Sequence, residues 1–351
     1  AVTGKQMREG IEAFQDLNGA TVGGRKIEIV YRDVGGANPA AARQAVQELV
    51  VKDRVSVMGG FYLTPDAAAA APVLNETKVP GVIFNAAGRD LVDRSKYFVR
   101  ISGTLYQTSG TAAEWAHKIG RRKAYIQASD YAAGVDAREA FKERFTRLGG
   151  KIVGEDMMAL NTVDYAPFVE RVAAADADVV FSFVPNGAPV INYSKAFASR
   201  GLHAKGVTFI SIGLPDDIDL PRIGKDALGF RNSLYYAYTL DTPENKAFVA
   251  AVRKRMGSDA IATFNQAQAF DGMRTIYRMI ESQAGKRFDG DAAVEAVKGF
   301  AWTGPQGPMR IDPQTRNIVQ NVYIREVKEV NGQLLNVVVD TFKEVRDPGV
   351  K

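Results

Sequence analysis

The chain has 351 residues, of which 46% are hydrophobic and 24% are charged. This balance is typical of a globular protein and excludes the polar, highly charged composition that keeps a chain disordered. At roughly 100–200 residues per domain, the length favours two domains. No uninterrupted apolar stretch approaches the ~18 residues that a membrane-spanning helix requires.

The residue counts narrow the function further. There are 0 cysteines, which excludes disulfides and thiolate metal sites. The net charge of +5 comes from 45 basic and 40 acidic residues that are scattered along the chain. Scattered charge is typical of a solvated surface, so we predict no nucleic-acid partner. The chain begins at Ala1 without the basic and apolar segments of a signal peptide, which is therefore expected to be absent from this chain.

Short apolar strands alternate with helices along most of the chain. Strands are predicted at 26–33, 55–58, 81–84, 98–102, 123–128, 151–158, 178–184 and 208–211, and strand-like runs close the chain at 309–311, 318–327 and 334–342. Helices are predicted at 41–49, 65–74, 108–119, 136–148, 165–174, 190–199, 243–256, 266–281 and 291–297. Thr64 is the predicted N-cap of the helix over 65–74. This alternation predicts an α/β fold of two doubly wound lobes with mostly parallel sheets.

The sequence contains no recognisable catalytic or metal-binding pattern. Its two histidines, His117 and His203, have no partner at metal-ligand spacing, and the common nucleophile and phosphate-binding motifs are absent. We therefore predict no catalytic residue, no metal and no cofactor, and a protein that is not an enzyme.

Polar and aromatic residues instead follow the predicted strands. Such segments lie at 61–64, 85–88, 106–107, 129–131, 185–187 and 211–213. In open α/β sheets, ligands bind at the carboxyl ends of strands, where helix N-termini present free N–H groups. The segments together predict a ligand cleft, although loops at strand ends are polar in many proteins.

Several short motifs carry a family resemblance over almost the whole chain. They are Thr3-Gly4, Asn18-Gly19, Gly59-Gly60, Tyr97-Phe98-Val99-Arg100, the segment 130–134, Ala269-Phe270-Asp271-Gly272 and the segment 304–308. In this order they resemble the branched-chain amino-acid-binding family of ABC-transporter substrate-binding proteins, the type I periplasmic binding proteins. From this resemblance we expect an initial strand before Thr3, which the chain as given does not include.

The resemblance implies two lobes joined by a three-segment hinge, with crossings at 117–121, 238–243 and 326–330. The first lobe is expected at 1–118 plus 243–326 and the second at 119–242 plus 327–351. It further implies a periplasmic, monomeric protein that closes on a small molecule and delivers it to the membrane permease of an ABC transporter. A ligand-sensing domain of a signalling receptor remains an alternative.

The candidate ligand-binding residues are Phe61, Tyr62, Leu63, Thr64, Ala86, Ala87, Gly88, Tyr106, Gln107, Tyr131, Asn186, Gly213 and Phe264. In amino-acid-binding relatives an acid of the second lobe holds the ammonium, and this position falls at about Gly213. The hydroxyl expected near Ala87 is also absent. A buried ammonium without a counter-charge is costly, which disfavours an α-amino acid.

The resemblance to the aromatic-acid-binding branch implies a small aromatic carboxylate of the hydroxybenzoate or hydroxycinnamate type. N–H groups at 63–64 and 87–88 are expected to bind its carboxylate, and Gln107 or Asn186 its far polar group. Two alternatives stay open. The ligand is instead a branched-chain or other aliphatic amino acid if Asp216 contacts its ammonium, and Phe61 and Phe264 are equally well explained as core residues.

Overall fold

The structure is a computed structural model that describes residues 2–348. Its α-helices are α1 (Val2–Asn18), α2 (Pro39–Val51), α3 (Thr64–Thr77), α4 (Leu105–Lys118), α5 (Ala132–Arg147), α6 (Ala166–Ala174), α7 (Ala188–Ser199), α8 (Leu220–Ile223), α9 (Pro243–Met256), α10 (Phe264–Glu281) and α11 (Gly290–Val297). Its strands are β1 (Thr21–Val22), β2 (Arg25–Lys26), β3 (Met58–Gly60), β4 (Gly81–Ile83), β5 (Phe98–Arg100), β6 (Lys123–Ser129), β7 (Lys151–Met158), β8 (Val179–Phe183), β9 (Thr208–Ile212), β10 (Arg231–Leu234), β11 (Ala301–Gly304), β12 (Gly307–Ile311), β13 (Ile318–Val330) and β14 (Gln333–Val345).

The chain divides into two compact units. Of the described residues, unit 1 comprises 2–104, 241–320 and 346–348, and unit 2 comprises 105–240 and 321–345. The change of unit at 240–241 lies inside the predicted crossing at 238–243. The other changes fall elsewhere, at 104–105 instead of 117–121 and at 320–321 instead of 326–330, and a further one lies at 345–346.

These differences have local causes. Helix α4 packs against α5, β9 and β10, which places 105–118 in unit 2. Strand β13 pairs with β12 only through residues 318–320 and with β10 through residues 323–326. After β14, Arg346 pairs with Asp312 at 3.2 Å, which returns the chain to unit 1.

Unit 1 contains a short parallel sheet in the order β3-β4-β5, with Gly81 opposite both Met58 and Phe98. Helix α1 packs along α10, where the Phe14 and Phe270 rings pack edge to face with centroids 5.1 Å apart. The α10 backbone at Gly272 packs directly against the Phe84 ring. A Cβ on Gly272 would lie 2.2 Å from this ring, so the position requires glycine.

Unit 2 contains a sheet whose strands β7, β6, β8, β9 and β10 are parallel, with β13 antiparallel at β10. Aromatic rings fill the space between this sheet and its helices. Phe209 and Phe230 stack at 4.3 Å, and Phe197 meets Phe209 edge-on at 5.3 Å. The parallel strands flanked by helices and the two units confirm the predicted α/β fold class.

One predicted strand does not form as a strand. Residues 27–33 are rich in β-branched and aromatic side chains, yet only Arg25–Lys26 is a strand, paired with Thr21–Val22. Strand composition is not enough, because a strand is defined by ladder hydrogen bonds to a neighbour. The Ile27 N–H still donates to the Ala20 carbonyl at 2.8 Å, next to the β1–β2 pair, and residues 28–33 have no strand partner within residues 2–348.

Two further features concern the described part of the chain. No helix in residues 2–348 is long and apolar enough to cross a membrane. Within the same residues, no group of three or more His, Asp or Glu side chains is placed to hold a metal ion.

Candidate functional site

The carboxyl ends of β3 and β4 bring two predicted ligand segments of unit 1 together. Residues 61–64 follow β3 and enter α3, and residues 85–88 follow β4. The Ala86 N–H donates to the Phe61 carbonyl and the Asn85 amide to the Tyr62 carbonyl, both at 2.9 Å. Parallel strands end at the same edge of a sheet, so these two loops lie side by side.

Thr64 and Gly88 form the closest contact between the two loops. The Gly88 N–H donates to the Thr64 hydroxyl at 3.0 Å. A Cβ on Gly88 would lie 2.4 Å from the Thr64 Cγ2, so the position requires glycine for space. Because the Thr64 oxygen already accepts this bond, and its proton has no acceptor within residues 2–348, the hydroxyl is available as a donor.

The prediction that Thr64 is the N-cap of the following helix is wrong. The N-cap of α3 is Leu63, with no side-chain cap hydrogen bond. The Thr64 hydroxyl contacts Gly88 instead of the helix, so the N–H groups of the first turn remain uncapped. Such a helix start attracts anions through its open N–H groups and its dipole.

Arg100 lies beneath the 86–88 loop and was not among the predicted site residues. Its side chain is fully buried, with Nη1 donating to the carbonyls of Gly88 at 2.6 Å and Ala86 at 3.3 Å and Nε donating to Asn317 at 2.9 Å. Burial lowers the pKa of Arg100 to about 10, so it is still protonated at neutral pH. The signal in the sequence was a charged residue in the otherwise apolar strand β5.

The two phenylalanines among the predicted site residues, Phe61 and Phe264, occupy different positions in unit 1. Phe61 has a positive φ of 59° and meets Phe98 edge-on at 5.4 Å, so half-buried Phe61 is partly a core residue. Phe264 is the first residue of α10, which begins with a capping box between Thr263 and Gln266. The Phe264 ring is half-buried, and its predicted ligand contact stays a prediction.

In unit 2, predicted residues follow the parallel strands β6 and β8. Tyr131 lies between β6 and α5, where its ring stacks on Phe183 at 6.1 Å. Asn186 is exposed in the loop between β8 and α7. Both remain candidate ligand contacts by position.

Tyr106 and Gln107 lie in the first turn of α4, also in unit 2. Gln107 is only 2% exposed, and its amide donates to the Val345 carbonyl at 2.9 Å. This bond gives Gln107 a structural role, and its contact with a ligand stays a prediction. Tyr106 is half-buried.

Gly213 follows β9, and both its own backbone conformation and its neighbours Leu234 and Arg325 restrict which residue can occupy this position. Its φ is +64°, a conformation that an L side chain rarely adopts, and a Cβ there would lie 3.2 Å from Leu234. Its carbonyl accepts from Arg325 at 3.1 Å. The backbone geometry therefore disfavours an acidic side chain at the position where an ammonium partner was expected.

Asp216 is the alternative ammonium partner. It follows Gly213 closely in the sequence, and its side chain is buried. Its carboxylate accepts from the Asp217 N–H at 2.9 Å. Burial, followed by the neighbouring Asp217 charge, raises the pKa of Asp216 to about 7. Without a cation beside it, this carboxyl group is therefore harder to ionise than an ordinary aspartate.

Comparison with known proteins places this arrangement in a family. A family model described as periplasmic binding protein matches residues 1–333. Leu/Ile/Val-binding protein homolog 6 of Brucella melitensis is 43% identical over 353 residues, which cover 100% of this chain and 90% of the relative.

Solved structures agree with this assignment. The solute-binding protein of an ABC transporter from Rhodopseudomonas palustris HaA2, in complex with p-hydroxybenzoic acid, has a TM-score of 0.94 and 43% identity, covering 99% of this chain and 95% of that one. A second such protein from R. palustris, in complex with 4-hydroxybenzoate, has a TM-score of 0.92, 42% identity and the same coverage, 99% and 95%. The chain belongs to the periplasmic binding protein family, as its sequence motifs predicted.

Proposed function

We propose that this protein is the solute-binding component of an ABC uptake transporter and captures a small aromatic carboxylate of the hydroxybenzoate or hydroxycinnamate type. The observation that carries the proposal is the edge of unit 1 where the Thr64 hydroxyl, the start of α3 and the Ala86–Gly88 loop lie together above the buried, protonated Arg100. These groups suit an anion, which needs N–H and O–H donors and positive potential.

Two further observations favour an aromatic acid over an amino acid. Position 213 is a glycine with positive φ, so the chain offers no acid there for an ammonium. The two R. palustris proteins at 42–43% identity hold hydroxybenzoates. Tyr62, Tyr106 and Tyr131 are expected to contact the ring, because aromatic side chains bury it and keep their hydroxyls available for hydrogen bonds.

An aliphatic amino acid is the second candidate, favoured by the Brucella relative's designation as a Leu/Ile/Val-binding protein homolog. Its ammonium would require Asp216 to ionise and face the ligand. A thermal-shift screen across benzoates, hydroxycinnamates, leucine, isoleucine and valine separates the two candidates, since a ligand that binds only the folded state raises the melting temperature. Stabilisation by the amino acids alone would contradict our proposal.

The proposed function also includes a cellular location, a membrane partner and the absence of catalysis. We expect a monomer in the periplasm that closes about its hinge and passes the ligand to a membrane permease, without a cofactor and without turnover. Ligand recovered unchanged after long incubation supports binding alone, and a product that forms in proportion to protein concentration contradicts it. Small-angle scattering with and without 4-hydroxybenzoate tests hinge closure.

A further inference from the structure

Arg100 is one of the largest fully buried side chains of the protein, together with Arg325. Charged side chains are rarely buried unless they are paired. Within residues 2–348, Arg100 forms no ion pair, and its hydrogen-bond acceptors are the Asn317 amide oxygen and the carbonyls of Ala86 and Gly88. Its Nη2 atom is buried and has no acceptor there. The closest link to a carboxylate is indirect, through Asn317, whose amide donates to Asp347 at 3.2 Å.

The two carbonyl contacts fix the orientation of the Ala86–Gly88 loop, which we call the ligand loop. In a planar trans peptide the C=O and the following N–H point in opposite directions. Because the carbonyls of Ala86 and Gly88 point towards Arg100, the N–H groups of Ala87 and Arg89 point away from it. The Ala87 N–H has no acceptor within the described residues. Thr64 lies at the same loop, since its hydroxyl accepts from Gly88.

The contacts also make the loop more electropositive. A carbonyl that accepts from a charged guanidinium polarises its peptide, and the N–H at the other end becomes a stronger donor. No carboxylate of residues 2–348 touches the Arg100 guanidinium, and the charges of Asp347, Asp93 and Asp90 act on it only at longer range. A bound anion at the Ala87 N–H would add to this negative charge from the side of the 86–88 loop.

We infer that Arg100 is a positioning residue that makes unit 1 selective for a carboxylate over a neutral group of the same shape. It holds the Ala86–Gly88 loop so that the Ala87 N–H and the Thr64 hydroxyl face the ligand carboxylate, and its charge favours the anion through the intervening peptides. This inference rests on the proposed function, because it concerns the same ligand site.

The test compares 4-hydroxybenzoate with 4-hydroxybenzamide, a neutral ligand of nearly the same shape, by calorimetry on the full chain. Arg100→Met is expected to weaken the benzoate by about thirtyfold or more and the benzamide by less than about fivefold. Arg316→Met is the matched control, because the Arg316 side chain also donates to backbone carbonyls of unit 1, those of Ser95 and Val92, neither of which belongs to the 86–88 loop. The Arg316 carbonyl, which accepts from the Arg100 N–H at 3.0 Å, is kept in this variant. The control should leave the ratio of the two affinities unchanged.

A purely structural role predicts that Arg100→Met weakens both ligands equally, and this result would overturn the inference. If circular dichroism shows that Arg100→Met does not fold, Arg100→Lys decides, because lysine keeps the charge but cannot bind both carbonyls as a planar fork. Arg100→Lys should reduce the benzoate-to-benzamide ratio by about three- to tenfold, and an unchanged ratio contradicts the inference. Failure of the wild-type protein to bind 4-hydroxybenzoate would instead refute the proposed function itself.

Discussion

Replacing Thr64 by valine removes one oxygen atom from the proposed carboxylate site and keeps the shape of the side chain. In the ligand-free protein the Gly88 N–H loses its acceptor at 3.0 Å. Gly88 is buried, so leaving this donor unpaired should lower the free energy of unfolding by about 1–3 kcal/mol. Valine and threonine are both β-branched, so the start of α3 is otherwise little affected.

The effect on binding follows from the lost O–H donor. A hydrogen bond to a charged group contributes about 1.5–3 kcal/mol, so Thr64→Val should weaken 4-hydroxybenzoate by about 10- to 150-fold. Thr64→Ser is the control, because it keeps the hydroxyl and loses only a methyl group, and its affinity should stay within about threefold. Calorimetry measures both variants, and urea unfolding establishes that both are folded. A folded Thr64→Val protein that binds within threefold of the wild type refutes the assigned role of Thr64.

Three further substitutions test other parts of the structure. Gly88→Ala places a Cβ 2.4 Å from Thr64 and should weaken the binding of 4-hydroxybenzoate at least about tenfold in a calorimetric titration. A Cβ on Gly110 meets nothing within 4 Å, so Gly110→Ala is the control and should leave the affinity unchanged. Equal effects of the two substitutions would contradict the steric reasoning. Burial raises the pKa of Asp271 from its ordinary 3.8 to about 7, so the folded state keeps a proton that the unfolded state loses, and the free energy of unfolding falls as the pH rises from about 4 to 7. Asp271→Asn keeps an oxygen that accepts from the Trp302 N–H. Because asparagine does not titrate, this variant should lose up to about 4 kcal/mol of the fall in unfolding free energy between pH 4 and 7. Denaturant unfolding at several pH values measures this, and an unchanged slope would contradict the raised pKa of Asp271. Arg325→Met removes three hydrogen bonds, including the one to the Gly213 carbonyl. It should lower the free energy of unfolding, measured with denaturant, by about 3–5 kcal/mol. A loss of less than about 1 kcal/mol would contradict this role.

The elements that the sequence predicts best are those with a strong local signal. The bounds of β7 at 151–158 and α9 at 243–256 match the predictions. Helix α9 begins at Pro243 after Thr242, whose hydroxyl accepts from the Asn245 N–H, and both residues are recognised signals of a helix start.

Elements defined by distant partners are predicted poorly. Strand β10, Arg231–Leu234, was not predicted because its sequence is polar. Its Asn232 is fully buried and accepts from Arg325 at 2.7 Å, a residue 93 positions later. Only the tertiary structure provides such a partner, and the same reason explains why the contacts of Arg100 with the 86–88 loop and of Arg325 with Gly213 were not predicted.

The candidate site divides in the same way. Its location at the ends of parallel strands follows from general rules of α/β proteins, which place Thr64, Gly88 and Gly213 correctly at strand ends. The individual bonds do not follow from the sequence, because the Thr64 hydroxyl had two possible partners, the start of α3 and Gly88. The Ala269-Phe270-Asp271-Gly272 motif is explained by core packing, since Gly272 faces Phe84 and Asp271 accepts from Trp302.

The most direct test of the central claim is a calorimetric titration of the purified protein with 4-hydroxybenzoate and, separately, with leucine. We expect 4-hydroxybenzoate to bind with a dissociation constant in the micromolar range or below, about −8 kcal/mol or stronger, and leucine to give no heat of binding. Tight binding of leucine with no heat from 4-hydroxybenzoate would contradict the account and identify Asp216 as the residue to examine for an ammonium contact.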